Sequence, residues 1–283
     1  MSRNIKIASK KTLKKVISSA IDISFLIEGI EGNRGQEIAA NFLTKNTMVA
    51  ITIWNIIDKN NVFKIDNKEI NFPDFSSALV LIRSLFEGYI NMYYLLIAPE
   101  TEEEEEFRLN MWDRHGLLER QRMANYIGSS SDKLEYESKK INEYNKKIFD
   151  SSYFEEMSEP DKQGYKNTNN WTRKTALDRA DIANIDRSQS EFIYKFLSNY
   201  SHSESYALMQ INSVENKNIA EDLVENLPIR FTEMFLSLTI NIYSKLFPEA
   251  SSYLEKDESL YNIIKQWEEL KSQDIVEINI DNN

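Results

Sequence analysis

The sequence predicts an all-α protein, a mostly antiparallel bundle of about eight or nine helices. Three observations carry this. Glycine and proline, the residues that interrupt helices, number only 7 and 5 among 283. Apolar residues recur at three- and four-residue spacing, the signature of helices with one buried face. Strand-like alternation is scarce.

Leu13, Val16, Ile17, Ala20, Ile23, Ile27 and Ile30 mark an amphipathic helix over 11–30, broken by Gly32 and Gly35. A second helix is expected over 36–58. Residues 59–73 read as a loop rich in Asn and Asp, with a short extended piece at 62–65. Asp74 is placed to cap a third helix over 75–98, ended by Pro99. The carboxylates at 102–106 suit the first turns of a fourth helix reaching 127, because they favour the positive end of the helix dipole. A polar fifth helix follows over 132–149. Pro160, Gly164 and the run 167–170 mark 151–175 as a long polar loop. Helices resume over 173–183, 187–205 and 219–247, the last ended by Pro248. A final helix over 258–272 precedes a tail at 273–283. The chain thus divides into an N-terminal helical pair (1–73), a helical core with the polar loop (74–247) and a C-terminal helix with an acidic tail (248–283). All three belong to one domain.

The absence of cysteine excludes disulfides, zinc–thiolate sites and a thiol nucleophile, and fits a reducing cytoplasm. The basic, then apolar, N-terminus is interrupted by Asp22 and lacks a small-residue cleavage site, so no signal peptide is expected. Residues 75–98 are long enough to cross a bilayer. Arg83 and Glu87 lie well inside that stretch, however, and favour a helix at the centre of a soluble bundle with no membrane partner. A net charge of −11 argues against a broad nucleic-acid surface. Charge is nonetheless uneven: residues 1–20 carry Arg3, Lys6, Lys10, Lys11, Lys14 and Lys15 and no acid, while 100–106 and the stretch from Glu249 are acidic. These runs are either solvated faces or patches for an anionic partner or a second subunit.

On the third helix Ser76, Arg83, Glu87, Asn91 and Tyr94 project onto one narrow stripe among apolar neighbours. A buried Arg83–Glu87 ion pair is expected there. It either braces neighbouring helices, or Glu87 aims Arg83 at an anionic ligand such as a phosphate. On the helix over 187–205, Tyr194, Ser198 and His202 follow one another at four-residue spacing, opposite the apolar face of Phe192, Ile193, Phe196, Leu197 and Tyr200. That polar face is either solvated or turned into a cleft with Arg83 and Glu87, where His202 could transfer protons near neutral pH. A Ser198–His202 dyad is compatible with the spacing. Arg108 and His115, two turns apart on the fourth helix, form a weaker competing pair. A Gly-rich phosphate loop, H-E-x-x-H, G-x-S-x-G and paired Glu-x-x-His motifs are all missing, so neither cofactor nor metal is expected.

The order Arg83-Ser84-Leu85-Phe86-Glu87, Trp171, then Tyr194, Ser198 and His202, resembles a bacterial all-helical family of unknown function related to the HEPN superfamily, over about 75–205. The resemblance implies a HEPN-like core within 74–247, a homodimer, a partner protein, an RNA or nucleotide ligand, and a role in phage defence or toxin–antitoxin biology. Active members of that superfamily are metal-independent ribonucleases whose Arg and His lie about four to six residues apart; this chain departs from that arrangement, its nearest Arg upstream of His202 being Arg187. Two functions follow: an RNA-cleaving or nucleotide-binding effector, or a non-catalytic interaction module in which the same residues form a structural polar network.

Overall fold

The computed structural model describes residues 8–58, 61–66, 68–72, 74–212 and 226–272. Its elements are α1 (Lys10–Leu26), α2 (Arg34–Asp58), β1 (Asn61–Ile65), β2 (Lys68–Phe72), α3 (Phe75–Leu96), α4 (Glu102–Ile127), α5 (Ser131–Phe149), α6 (Ser152–Glu155), α7 (Glu159–Lys166), α8 (Ala176–Ile182), α9 (Arg187–Ser201), α10 (Ser205–Asn212), α11 (Leu227–Leu246), α12 (Pro248–Glu255) and α13 (Glu258–Leu270). Among the described residues the protein is all-α apart from one antiparallel hairpin, β1–β2, in the register Asn61–Phe72 to Ile65–Lys68. Its tight turn passes through Asp66 at φ 53°, which Asp tolerates better than most residues. Among the described residues no helix is long and apolar enough to cross a membrane.

Helix starts follow local chemistry. Ser9 and Thr12 form a reciprocal capping box on α1, and the Asp74 carboxylate accepts the Ser77 N–H at 3.2 Å. Thr101, Ser130, Asp186 and Asp257 cap α4, α5, α9 and α13 in the same way. Thirteen helices are described rather than eight or nine, because short ones fill stretches that composition marked as loops. Residues 151–175 hold α6 and α7: Ser151 and Ser158 supply caps, and Pro160 sits in the first turn of α7, where its missing N–H costs nothing. Pro248 likewise opens α12 as well as following α11. The expected helix start at 219 and the tail at 273–283 lie outside the described residues.

Contacts divide the chain into two compact units, Met1–Tyr93 with Ala176–Asn283, and Tyr94–Thr175. In the first, α11 is the enclosed helix: every residue from 231 to 240 is buried, including Thr232, Glu233, Ser237 and Thr239. The helix over 75–98, expected at the centre of the bundle, packs against α11. Phe86 of α3 packs on Phe235 of α11, and Gly88 lets Asn46 of α2 come close, since a Cβ there would lie 2.5 Å from Asn46 Oδ1. Glu233 and Lys271 are buried in this unit. Trp267 Nε1 donates to Glu233 at 3.0 Å, and burial pushes the Glu233 carboxyl above the usual range against hydrogen bonds from Thr12 and Trp267. The Lys271 ammonium donates to Tyr89 Oη at 3.2 Å and pairs with Glu268 at 3.0 Å; burial lowers its pKa.

The second unit is built on the α4–α5 hairpin, turned at Gly128 with φ 78°. Its core is Phe107, Met111, Ile148, Phe154 and Tyr165.

Candidate functional site

In the first unit, α3 and the end of α9 bring four of the sequence-predicted residues together. Arg83 Nε donates to Glu87 Oε1 at 3.1 Å across one helical turn. The guanidinium lies 5.0 Å from the centre of the Tyr194 ring, and Nη2 donates to Tyr194 Oη at 3.4 Å. Nη1 stands 3.5 Å from His202 Nε2. The last two distances are at the long end of hydrogen bonding, so these groups are neighbours rather than locked partners. Glu87 thus holds one edge of the guanidinium and leaves the other facing Tyr194 and His202.

Exposure corrects one expectation. The Arg83 and Glu87 side chains are 18% and 40% exposed, so the pair lies at a wet edge of α3 and is not buried. Helical projection showed an apolar surround but could not show that this stripe stays half-open. Tyr94, projected onto the same stripe, instead carries Arg108 on its ring.

His202 is not inside a helix, as the span 187–205 implied, but is the C-cap residue of α9. The turn is closed by Glu204 N–H donating to Asn199 O at 2.9 Å, with Ser203 at φ 53° in the left-handed position where glycine is usual. This cap swings His202 out to the exposed end of the helix. Ser198 is near in sequence but donates its hydroxyl to Tyr194 O at 2.6 Å, back along the helix. Ser198 and His202 meet through the backbone, His202 N–H donating to Ser198 O at 3.0 Å, while the Ser198 hydroxyl is turned away from the imidazole.

Sequence reasoning missed Lys45. From α2 its Nζ donates to Ser84 O at 3.3 Å, beside Glu87. Although the residue is exposed by surface area, crowding around the ammonium lowers its pKa, opposed by the Glu87 charge. The only signal in the sequence was a lone lysine between the buried pairs Phe42–Leu43 and Asn46–Thr47, which cannot be told from an ordinary surface residue.

The competing pair is not a site of the same kind. Arg108 is buried in the second unit, where it donates to Tyr94 O, pairs with Glu104 and stacks 4.0 Å from the Tyr94 ring centre. Tyr153 Oη donates to Glu104 at 2.6 Å. Burial raises the Glu104 carboxyl, but the Tyr153 hydrogen bond, the Glu100 N–H and the Arg108 charge together hold it below the usual range. His115 instead places Nδ1 2.8 Å from Asn169 O. Among the described residues no group of three or more His, Asp or Glu side chains is placed to hold a metal ion.

A family model described as a family of unknown function (DUF5677) matches residues 70–219, just over half of the chain. The chain belongs to that family. No curated protein and no solved structure matches it. Arg83, Glu87, Tyr194, Ser198 and His202 all fall within the stretch shared with DUF5677, as do Arg108 and His115, whereas Lys45 lies before it.

Proposed function

We propose that the Arg83–Glu87–Tyr194–His202 cluster is a phosphodiester site and that the protein is a HEPN-like helical effector that binds and cleaves RNA. The observation that carries this reading is the Arg83 guanidinium, fixed on one edge by Glu87 and turned on the other toward His202 Nε2 at 3.5 Å. Fixed on one side and open on the other, an Arg offers a planar fork for a phosphate. In the reaction His202 Nε2 takes the proton of a ribose 2′-hydroxyl as its oxygen bonds to phosphorus. The 5′-oxygen leaves and takes a proton from water, giving a 2′,3′-cyclic phosphate and a 5′-hydroxyl. Arg83, with the Tyr194 hydroxyl beside it, stabilises the negative charge that grows on the phosphorane. Lys45 adds positive charge near Glu87. Homodimerisation, a partner protein, a cytoplasmic setting, and a role in phage defence or toxin–antitoxin biology belong to the same proposal.

A second reading, a non-catalytic interaction module, is favoured by one fact: Arg83 already joins α3 to α9 through Tyr194, as a structural brace would. Incubation of the purified protein with total RNA in EDTA separates the two. The effector reading expects cleavage by wild type and by His115→Ala, with loss in His202→Ala and Arg83→Ala variants that melt as wild type does. Cleavage that survives His202→Ala overturns it, and no cleavage by wild type favours the module.

A further inference from the structure

The second unit contains a groove that the proposed RNA site does not use. It lies between α4 and α5, has a volume of about 520 Å³, and is lined by Trp112, Asp113, His115 and Arg120 on one side and Tyr136 and Lys140 on the other. That volume is within the range of small-molecule sites. We infer that this groove binds a planar aromatic ring bearing an anionic group and a hydrogen-bond donor.

Three features carry the inference. The first is Gly116, in the middle of α4, where glycine costs about 1 kcal/mol relative to alanine. Two other helical glycines have a packing reason: a Cβ on Gly88 would meet Asn46, and one on Gly164 would collide with the Arg173 guanidinium. At Gly116 nothing lies within 4 Å of the missing Cβ. The helix backbone is bare on the groove wall, with Trp112 one turn away and Tyr136 and Tyr144 on α5. A flat ring can lie against that wall, where a side chain at 116 would displace it.

The second feature is the tautomer of His115. Its Nδ1 lies 2.8 Å from the Asn169 carbonyl oxygen, which can only accept, so Nδ1 carries the proton. In the neutral ring Nε2 is then an acceptor and calls for a donor on the ligand, such as an amine or hydroxyl.

The third feature is charge held in place. The Glu137 carboxylate is 1% exposed and pairs with Arg120, whose side chain is 49% exposed. The groups are close, although neither Glu137 oxygen has a partner in hydrogen-bond geometry. A buried carboxylate anchors the guanidinium from below and leaves half of it toward solvent. Lys140, paired with Glu143 at 2.7 Å, lines the same groove from α5. Arg120 and Lys140 therefore place the anionic end of the ligand, and His115 its donor end.

The anion could be a phosphate or a carboxylate, and the test separates them. Full-length protein is titrated calorimetrically with adenosine 5′-monophosphate, anthranilate, adenosine and inorganic phosphate. Saturable binding of one of the two aromatic anions is expected, at least about 10-fold tighter than binding of the ring or the phosphate alone. Which of the two binds identifies the anion. Gly116→Leu fills the groove wall while improving helix propensity, so it should fold, as a melt will show, and weaken binding by about 10-fold or more. The inference is overturned if neither aromatic anion binds wild type at millimolar concentration, or if Gly116→Leu binds as wild type does. Because His202 plays no part in this groove, His202→Ala should bind unchanged. Binding lost in His202→Ala instead would move the ligand to the other site and overturn the assignment.

Discussion

Two Arg–Glu pairs at the same helical spacing, Arg83–Glu87 and Glu104–Arg108, have opposite surroundings. Arg83 and Glu87 sit in a mostly apolar helix yet are 18% and 40% exposed. Glu104 and Arg108 sit in a helix that begins with five glutamates, yet their side chains are 9% and 10% exposed. Both arginines stack on a tyrosine, Tyr194 for one and Tyr94 for the other. The buried pair has further partners, a carbonyl for Arg108 and a phenol and a backbone N–H for Glu104. The open pair leaves one guanidinium edge toward a histidine. A pair enclosed and bonded to its surroundings works as a brace. A pair at a wet edge, with only long contacts on its second side, is what a binding site needs.

The largest expected effect follows from the brace. Glu104→Ala leaves Arg108 buried without its carboxylate and should destabilise by about 3–5 kcal/mol in urea denaturation. Replacing Glu104 and Arg108 together with Leu and Met should cost much less, because the desolvation penalty leaves with the charges. If Glu104→Ala melts as wild type does, the two pairs do not differ in kind and the contrast fails.

Acid titration sharpens the comparison between two buried carboxyls. Glu104 is held below its unfolded value, so its contribution is present above the unfolded carboxylate pKa, about 4.3, and is lost as pH falls through the folded value. Glu233 is raised, so its contribution is present below about pH 4.3 and is lost as pH rises through its folded value. Glu104→Gln should therefore flatten the acid limb of the stability–pH curve. Glu233→Gln should raise the melting temperature at neutral pH and have little effect at low pH. Identical pH profiles for the two variants would show that burial acts alike on both.

A smaller effect is expected at the cap that presents His202. Ser203 adopts a left-handed conformation that costs a non-glycine residue about 1–2 kcal/mol, so Ser203→Gly should stabilise by up to about 1 kcal/mol after the added freedom of the unfolded chain is counted. If that strain serves to hold His202 beside Arg83, the more stable variant should cleave RNA more slowly. Unchanged cleavage would make the strain incidental.

Much of the fold was legible because it depends on local chemistry. The cap at Asp74, the glutamate-rich first turns of α4 and the apolar face of α1 each have a cause within a few residues. The central place of α11 was not legible, since Thr232, Glu233, Ser237 and Thr239 look like a wet face until neighbouring helices close over them. The short helices α6 and α7 were hidden by Pro160 and Gly164, which serve a first turn and a close approach by Arg173. Spacing placed Arg83, Glu87, Tyr194 and His202 on faces that do meet. It could not reveal Lys45, which comes from a helix with no motif, nor the turn that takes His202 off the helix.

The smallest stability effect and the sharpest functional one belong together at Glu87. Were the pair buried, Glu87→Ala would cost several kcal/mol. With Glu87 40% exposed and Arg83 also bonded to Tyr194, water replaces most of what the carboxylate supplied, and the cost should be about 0–1 kcal/mol. The guanidinium, however, loses the contact that fixes one of its edges, and it can rotate on the Tyr194 ring. Under the effector reading Glu87→Ala should then melt close to wild type while RNA cleavage falls by about 10-fold or more, the equivalent of about 1.4 kcal/mol in the transition state. Glu87→Gln, which can still accept from Arg83 Nε, should recover part of that rate. A brace predicts the reverse pattern, a lower melting temperature with no separate loss of activity. The ratio of the two effects at this one position therefore decides whether the open pair differs from the buried one in function or only in exposure.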